Sequence, residues 1–431
     1  MFLEKRSFKG GIHPLYNKEL SQGKAIEVMG EPKKVTLPLQ QHIGAPCQPI
    51  VEKGQDVVVG QKIAESDKFV SAPIHSSITG KVVEVTEKHI VIEGEQNSKF
   101  EVKNVRDIDS LTPEEIRSIV KEAGLVGMGG AAFPTHVKLS APEGKKFDTI
   151  LLNGAECEPY LTIDHRIMIE QPEKIVYGLR ALLKATGAQK GYIGIELNKP
   201  DAIEALRKAS EAYDNIEVAT LEVKYPQGGE KQLIKAILDK EVPVGGLPVD
   251  VGALVNNVYT AAAIYEAIKE DKPLFERGVT ITGKGVVEPK NLLVKVGTTF
   301  KEVLEQCGGL KENAAKIISG GPMMGRAVAN LDEIVTKGTS GILVLTEDEV
   351  ELVEEKTCIK CARCVDACPM YLMPNYLAAY SRKSMHDDAQ EYHLFNCIEC
   401  GCCSFVCPSR IPLVHLIRQG KWEINSKRAK K

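Results

Sequence analysis

The chain has 431 residues, 43% hydrophobic and 26% charged, with 55 basic against 58 acidic side chains and a formal net charge of −3. That length suits about three domains of ordinary size, and the composition is too apolar for a disordered chain. The charge balance lacks the basic excess of a nucleic-acid binder, so no nucleic-acid partner is expected.

A membrane span needs about 20 consecutive apolar residues, and the best stretch, 251–268, is broken by Asn256, Asn257 and Glu266. The opening MFLEKRSFKG has no apolar core followed by a small-residue cleavage site, so no secretory signal is expected. Any membrane attachment should therefore run through a partner.

Up to about Asn104 the chain is rich in Val, Ile and Gly. PIVEKGQDVVVGQKIAES and APIHSSITGKVVEV read as two hairpin-like halves of a small β domain. The next block alternates. Pro113 starts a helix over 113–123 that Gly124 stops; FDTILLN (147–153) is a buried strand, and a helix over 172–187 ends at Gly187. Strand 192–197, helix 200–213 and strand 216–223 follow, which indicates βαβ units around a largely parallel sheet. From about Leu274 to Thr346 the strands VTITG, LLVKV, KIISGG and GILVLT surround one helix, FKEVLEQC, as in a small α+β domain. The basic end, SKRAKK, is expected to fray.

Of 12 cysteines, nine fall from Cys358 onward. Their confinement to one end of a long chain suggests a reducing compartment and a local metal site. Cys358, Cys361, Cys364 and Cys368 precede Pro369, and the same spacing recurs at Cys397, Cys400, Cys403 and Cys407 before Pro408. This is the bacterial two-cluster pattern, in which the fourth cysteine of each run serves the other cluster. One [4Fe–4S] cluster is expected on Cys358, Cys361, Cys364 and Cys407, the other on Cys397, Cys400, Cys403 and Cys368. Structural zinc favours paired CxxC units and needs neither the third cysteine nor the trailing proline. Cys402 fits neither set and reads as a packing residue, as do Cys47 and Cys307.

GLVGMGGAAFPTHVKL (124–139) carries Gly127, Gly129 and Gly130, whose backbone can approach a ligand closely and whose amides can face a phosphate. A glycine-rich loop alone fits a tight turn equally well, and this one does not follow a strand as a dinucleotide fingerprint does. Lys138 is a countercharge candidate. NGAECEP (153–159) follows a strand directly, where open α/β sheets bind ligands, and brings Glu156 and Glu158.

These loops, with YPQGGEK (225–231) and LVNNVYT (254–260), resemble in the same order the flavin loops of the NADH-oxidising flavoprotein subunit of respiratory complex I. The likeness runs from FKGGIHP (8–14) through GGPMMG (320–325) to the doubled cysteine motif, so nearly the whole chain resembles the C-subunit family of the Rnf complex, a membrane-bound ferredoxin:NAD oxidoreductase. The resemblance implies a multidomain α/β protein. It comprises a lipoyl-like barrel-sandwich (1–105), a Rossmann-like FMN/NADH domain (106–272), a soluble-ligand-binding β-grasp domain (273–346), a two-cluster ferredoxin domain (347–420) and a basic tail (421–431).

It further implies that Gly127, Gly129 and Lys138 approach the FMN phosphate and ribityl chain. Asn153, Glu156, Asn256, Asn257 and Thr260 would line the rest of the flavin site. Glu230, after Gly228 and Gly229, would hold the nicotinamide nucleotide. Where complex I has an acid and a serine, this chain has Ala155 and Cys157, so those contacts do not carry over; Lys240 is only near the position of a complex I lysine. ESDKFVSAP (65–73) looks like a lipoyl lysine turn, but the family works without lipoyl chemistry, so Lys68 is expected to be unmodified.

The implied function is that of a peripheral protein on the cytoplasmic face of the cell membrane, moving electrons between two [4Fe–4S] clusters, FMN and NAD(H). Its implied partners are the iron–sulfur B subunit and the membrane-embedded A, D, E and G subunits, with ferredoxin acting indirectly. A corrin (cobalamin) reductase or related reductase-associated protein would use the same loops and cysteines. A flavin-free electron wire is the rival from another class.

Overall fold

The structure, a computed structural model, describes residues 6–94, 99–102, 104–350 and 354–429. The N-terminal β unit is two facing sheets. Lys34–Pro38, His89–Glu93, Gly80–Val85 and Asp56–Val57 form one; Gln48–Pro49, Lys62–Glu65 and Ile74–His75 form the other. Alternate side chains point inward, so Val35, Leu37, Ile63, Ile74, Ile90 and Ile92 make a closed apolar filling.

The second unit is a four-stranded parallel sheet in the order Ile216–Leu221, Lys190–Glu196, Thr149–Gly154, Ala253–Asn257. Its strands are apolar almost throughout because helices cover both faces. Pro113–Glu122 begins at a reciprocal cap: Glu115 N donates to Thr112 Oγ1 at 3.2 Å, and Thr112 N donates to the Glu115 carboxylate at 2.7 Å. Pro172–Thr186 ends on Gly187 at φ +74°, a left-handed cap. Both helices lie within a residue of their sequence-based bounds.

The third unit is a six-stranded mixed sheet built on Glu276–Thr282, Lys290–Lys295, Gly341–Thr346 and Ala314–Ser319. Its edge strand, Ile26–Val28, comes from the N-terminal segment and pairs in parallel with Lys290–Lys295. Lys337 is fully buried where three units meet, donating to the carbonyls of Pro73 at 2.6 Å and Gly124 at 2.7 Å.

The C-terminal unit packs short helices Arg363–Asp366 and Cys402–Phe405 with Pro374–Arg382, His386–Glu391 and Leu413–Ala429. The last helix runs through Ala429, so the described part of the basic end is helical rather than frayed, and Lys430 and Lys431 lie outside the described residues. Side chains hold the helix, since Lys427 Nζ lies 2.9 Å from His386 Nδ1, and Arg428 donates to Gln390 and lies 4.9 Å over the Phe395 ring.

Residues 8–14 form a wedge between the second and fourth units. Gly11 N donates to Ala367 O at 3.0 Å, and Ile12 exchanges two backbone hydrogen bonds with Tyr225. Gly10 and Gly11 both have φ near +80°, and a Cβ would lie 2.9 Å from Cys368 O and 2.6 Å from Tyr225 O respectively. Only glycine meets both demands.

Candidate functional site

Four loops converge at the carboxyl ends of the parallel strands, where the neighbouring strands Thr149–Gly154 and Ala253–Asn257 put Asn153 beside Asn257. Asn153 Nδ2 donates to Gly228 O at 2.9 Å, tying NGAECEP to YPQGGEK. Lys138 Nζ reaches Glu230 at 3.1 Å and Val255 O at 2.6 Å, tying the glycine-rich segment to both later loops. Met128 N donates to Thr260 Oγ1 at 3.0 Å, and a Cβ on Gly129 would lie 2.5 Å from Asn257 Nδ2. Residues far apart in sequence thus form one polar rim.

Individual roles differ along that rim. Asn257 caps the helix Val258–Lys269, its Oδ1 accepting from Tyr259 N at 2.8 Å, and its Nδ2 donates to Asp164 at 2.6 Å. Asn256 is buried, and its Nδ2 has no protein partner. Gly130 has open space where a Cβ would stand, and Gly127 N closes the loop on Phe133 O at 2.9 Å.

Glu156 and Glu158 turn away from this rim. Glu156, at φ +44°, accepts from Asp164 N at 2.7 Å and His165 N at 3.3 Å, capping the helix Ile163–Glu170. Glu158 accepts from Met323 N at 3.1 Å and Met324 N at 2.9 Å, holding the GGPMMG loop of the third unit. Burial pushes both carboxyls up to about 7.

Three buried cations brace these loops, and none of them stands out in the sequence. Lys18 Nζ donates to the carbonyls of Glu156, Glu158 and Leu161; Lys199 Nζ donates to Ala155 O at 2.6 Å. Arg277, fully buried on a strand of the third unit, donates to Met128 O at 2.7 Å and lies 4.4 Å from the Tyr259 ring. A lone Lys or Arg has no sequence signature separating it from a surface charge.

The cysteine runs fold as a repeat. Lys360 and Glu399 share φ near +57°, and Ala362 and Gly401 both adopt left-handed backbone, so each run wraps in the same way. Cys368, Cys397, Cys400 and Cys403 border one cavity closed by Leu372, Leu377, Val414 and Ile417. Burial and the neighbouring Cys397, Cys400 and Cys368 push the Cys403 thiol up to about 12. Cys364, raised by burial, has Cys407 and Cys358 as its sulfur neighbours. Among the described residues no three His, Cys, Asp or Glu side chains converge on a single-ion site. Thiols spaced around a cavity instead fit a cube of iron and sulfide, whose breadth keeps its ligands apart. Cys402 is fully buried, its Sγ 3.9 Å from Tyr225 O, and Cys47 and Cys307 are buried too.

The two sites touch. Tyr225, in the loop of Gly228 and Glu230, donates its hydroxyl to Cys400 O at 2.9 Å, and Gln232 Nε2 donates to Pro369 O at 3.2 Å.

Family models match in the same order: the RnfC barrel sandwich hybrid domain over residues 6–107, the Nuo51 FMN-binding domain over 120–266, the SLBB domain over 279–327 and the 4Fe-4S dicluster domain over 351–408. The chain is 48% identical over 403 residues to the C subunit of the proton-translocating ferredoxin:NAD(+) oxidoreductase complex of Clostridium ljungdahlii, covering 91% of this chain and 88% of that one. It is 45% identical to the C subunit of the Na(+)-translocating ferredoxin:NAD(+) oxidoreductase complex of Acetobacterium woodii, covering 98% of each. It is 38% identical to the C subunit of the ion-translocating oxidoreductase complex of Rhodobacter capsulatus, covering 100% and 85%. Among solved structures, an NAD+-reducing [NiFe]-hydrogenase in the H2-reduced state shares the fold with a TM-score of 0.51 at 18% identity, covering 74% of this chain and 63% of that one.

Proposed function

The chain belongs to the C-subunit family of the ion-translocating ferredoxin:NAD⁺ oxidoreductase complexes, and from that premise we propose which of its residues hold the cofactors and in what order electrons pass. It is the electron-transfer member of an oxidoreductase, with FMN and two [4Fe–4S] clusters, and it uses NAD(H). Bound FMN supplies the junction between two-electron hydride chemistry and one-electron transfer.

In this reading Gly127, Gly129 and Gly130 bring backbone to the flavin, and Lys138 offers an ammonium to its phosphate. Asn153, Asn256, Asn257 and Thr260 line or shape the flavin cavity. The unpartnered amide of Asn256 supports this, because a flavin heteroatom can accept its hydrogen bond. Glu156 and Glu158 shape the site from beneath through the helix and loop they anchor. Gly228 and Glu230 take the nicotinamide nucleotide, the carboxylate accepting from ribose hydroxyls or the carboxamide.

The contact between Tyr225 and Cys400 carries the ordering. The quartet of Cys368, Cys397, Cys400 and Cys403 holds the inner cluster, against the flavin unit. Cys358, Cys361, Cys364 and Cys407 hold the outer one, with Cys358 and Cys361 exposed. Among the described residues no helix is long and apolar enough to cross a membrane. In the same reading attachment is peripheral, on the cytoplasmic face, through the iron–sulfur B subunit and the membrane-embedded A, D, E and G subunits, with ferredoxin acting through them.

Strictly anaerobic purification, followed by flavin extraction and iron counting, tests the assignment. Flavin and iron are expected at about one to eight, with NADH-dependent dye reduction. Iron without flavin would leave only an electron wire.

A further inference from the structure

The cysteine repeat gives each half an equivalent outer face, and the two faces have different surroundings. Cys358–Ile359–Lys360–Cys361–Ala362–Arg363–Cys364 corresponds residue for residue to Cys397–Ile398–Glu399–Cys400–Gly401–Cys402–Cys403, and the matching left-handed positions show that the backbones superpose in kind. In the inner half this face is used. Ile398 and the fully buried Cys402 pack with Ile12 and Tyr225, and Met323 O approaches Gly401. In the outer half the same face is bare. Ile359 is 67% exposed, and Lys360 and Arg363 are exposed with no ion pair among the described residues. Glu399, by contrast, is held by Arg418 at 2.9 Å and Lys421 at 2.8 Å.

We propose that the outer face centred on Ile359, Lys360 and Arg363 is the docking surface for an acidic iron–sulfur domain of another protein of the complex. It is engaged in the way the inner face engages the flavin unit. The proposal rests on the reading that Cys358, Cys361, Cys364 and Cys407 hold a cluster.

One repeat supplies two equivalent faces, and a relay with two clusters needs an electron contact at each end. The internal contact already shows what such a face does here: an isoleucine and its neighbour at the fourth following position, both near a cluster ligand, press against the next redox unit. The outer half replaces the buried thiol by Arg363 and the neutralised Glu399 by Lys360. An apolar centre flanked by unpaired cations suits a small electron-transfer interface whose partner is negative. The acid in the outer run, Asp366, corresponds to Phe405, which is 53% exposed and lies outside the inner contact.

The intact complex tests this in two ways. A photo-crosslinking phenylalanine analogue placed at Ile359 should, on illumination of the purified complex, join this chain to a partner protein that carries cluster-binding cysteines and a net negative domain. In a separate preparation, Lys360→Glu with Arg363→Glu should slow ferredoxin-driven reduction of this chain's clusters at least tenfold at low salt. The difference should shrink as salt rises, with iron and flavin contents unchanged. Ile359→Asn should act in the same direction without the salt dependence. No crosslink, a crosslink to a protein without cluster-binding cysteines, or wild-type reduction rates in the charge-reversed complex would overturn the proposal. Failure of the underlying reading looks different: the wild-type chain would lack the iron of an outer cluster.

Discussion

Lys138 and Glu230, expected to serve different ligands, form one ion pair at 3.1 Å, and Lys138 has a second anchor in Val255 O at 2.6 Å. The pair is partly exposed, so its own contribution to stability is about 0–1 kcal/mol. The second anchor means that Lys138 stays oriented when Glu230 is neutralised. Lys138→Ala should therefore lower flavin occupancy, and activity should fall with it. Glu230→Gln should keep flavin bound while the apparent KM for NADH rises by about one to two decades, the range for losing a hydrogen bond to a charged group. Flavin content and steady-state NADH oxidation, measured on one preparation, separate the two. Wild-type NADH kinetics in the glutamine variant would leave Glu230 only its favourable place at a helix start.

Gly129 and Gly130 should respond differently to a methyl group. At Gly129 a Cβ lies 2.5 Å from Asn257 Nδ2, so Gly129→Ala must displace Asn257 from its cap and from Asp164. A drop in stability of about 1–2 kcal/mol is expected, together with loss of flavin. At Gly130 nothing lies within 4 Å. Gly130→Ala should melt like the wild type yet bind flavin more weakly, as read by thermal melting and flavin titration.

Crossed ligation should appear as crossed damage. Cys368 borders the cavity of the later run, and Cys407 and Cys358 both neighbour Cys364. Cys368→Ser should perturb the cluster signal assigned to Cys397, Cys400 and Cys403, and Cys407→Ser the other one. Paramagnetic resonance on each single variant reads the outcome, and damage confined to the mutated residue's own run would refute the crossing.

Lys337 gives the fold a pH dependence of known sign. Burial pushes its folded pKa down to about 7 from the ordinary 10.5. Between those values the unfolded chain binds a proton that the folded chain does not, so stability rises with pH by up to about 1.4 kcal/mol per unit. The contribution levels off above pH 10.5 and below 7. Lys337→Met removes the titration, so the difference in melting temperature between variant and wild type should change steadily as pH is raised from about 7 to about 9, the wild type gaining on the variant. A constant difference would mean that Lys337 keeps its proton between Pro73 and Gly124 in the folded chain as it does in the unfolded one.

Washing membranes with alkaline carbonate should release the chain without detergent, because among the described residues no helix can span a bilayer. Retention in the washed pellet would show an anchor in the chain itself.

Elements with local signals were legible: Pro113 marks one helix start, Gly187 one helix end, and the doubled cysteine spacing both cluster runs. The four site loops were recognisable because each is a short contiguous motif. What stayed hidden depends on partners remote in sequence. Helix Ile163–Glu170 is capped by Glu156 rather than by an adjacent residue. The strand Ile26–Val28 is recruited by a sheet more than two hundred residues away. Lys18, Lys199 and Arg277 are held by the carbonyls of Glu156, Ala155 and Met128, each remote in sequence. The pairing of Lys138 with Glu230 belongs to the same class, since nothing local relates the two positions.

The wedge of residues 8–14 also sets a clock on maturation. Gly11 is made about 350 residues before its acceptor Ala367. At about 5–20 residues per second the amide waits roughly 20–70 s for its partner. Cys368, whose carbonyl crowds Gly10, emerges just after Ala367. Closure of the N-terminal segment is therefore tied to arrival of the cluster-binding end, and a chain truncated before it would leave that segment open as a mark of incompleteness.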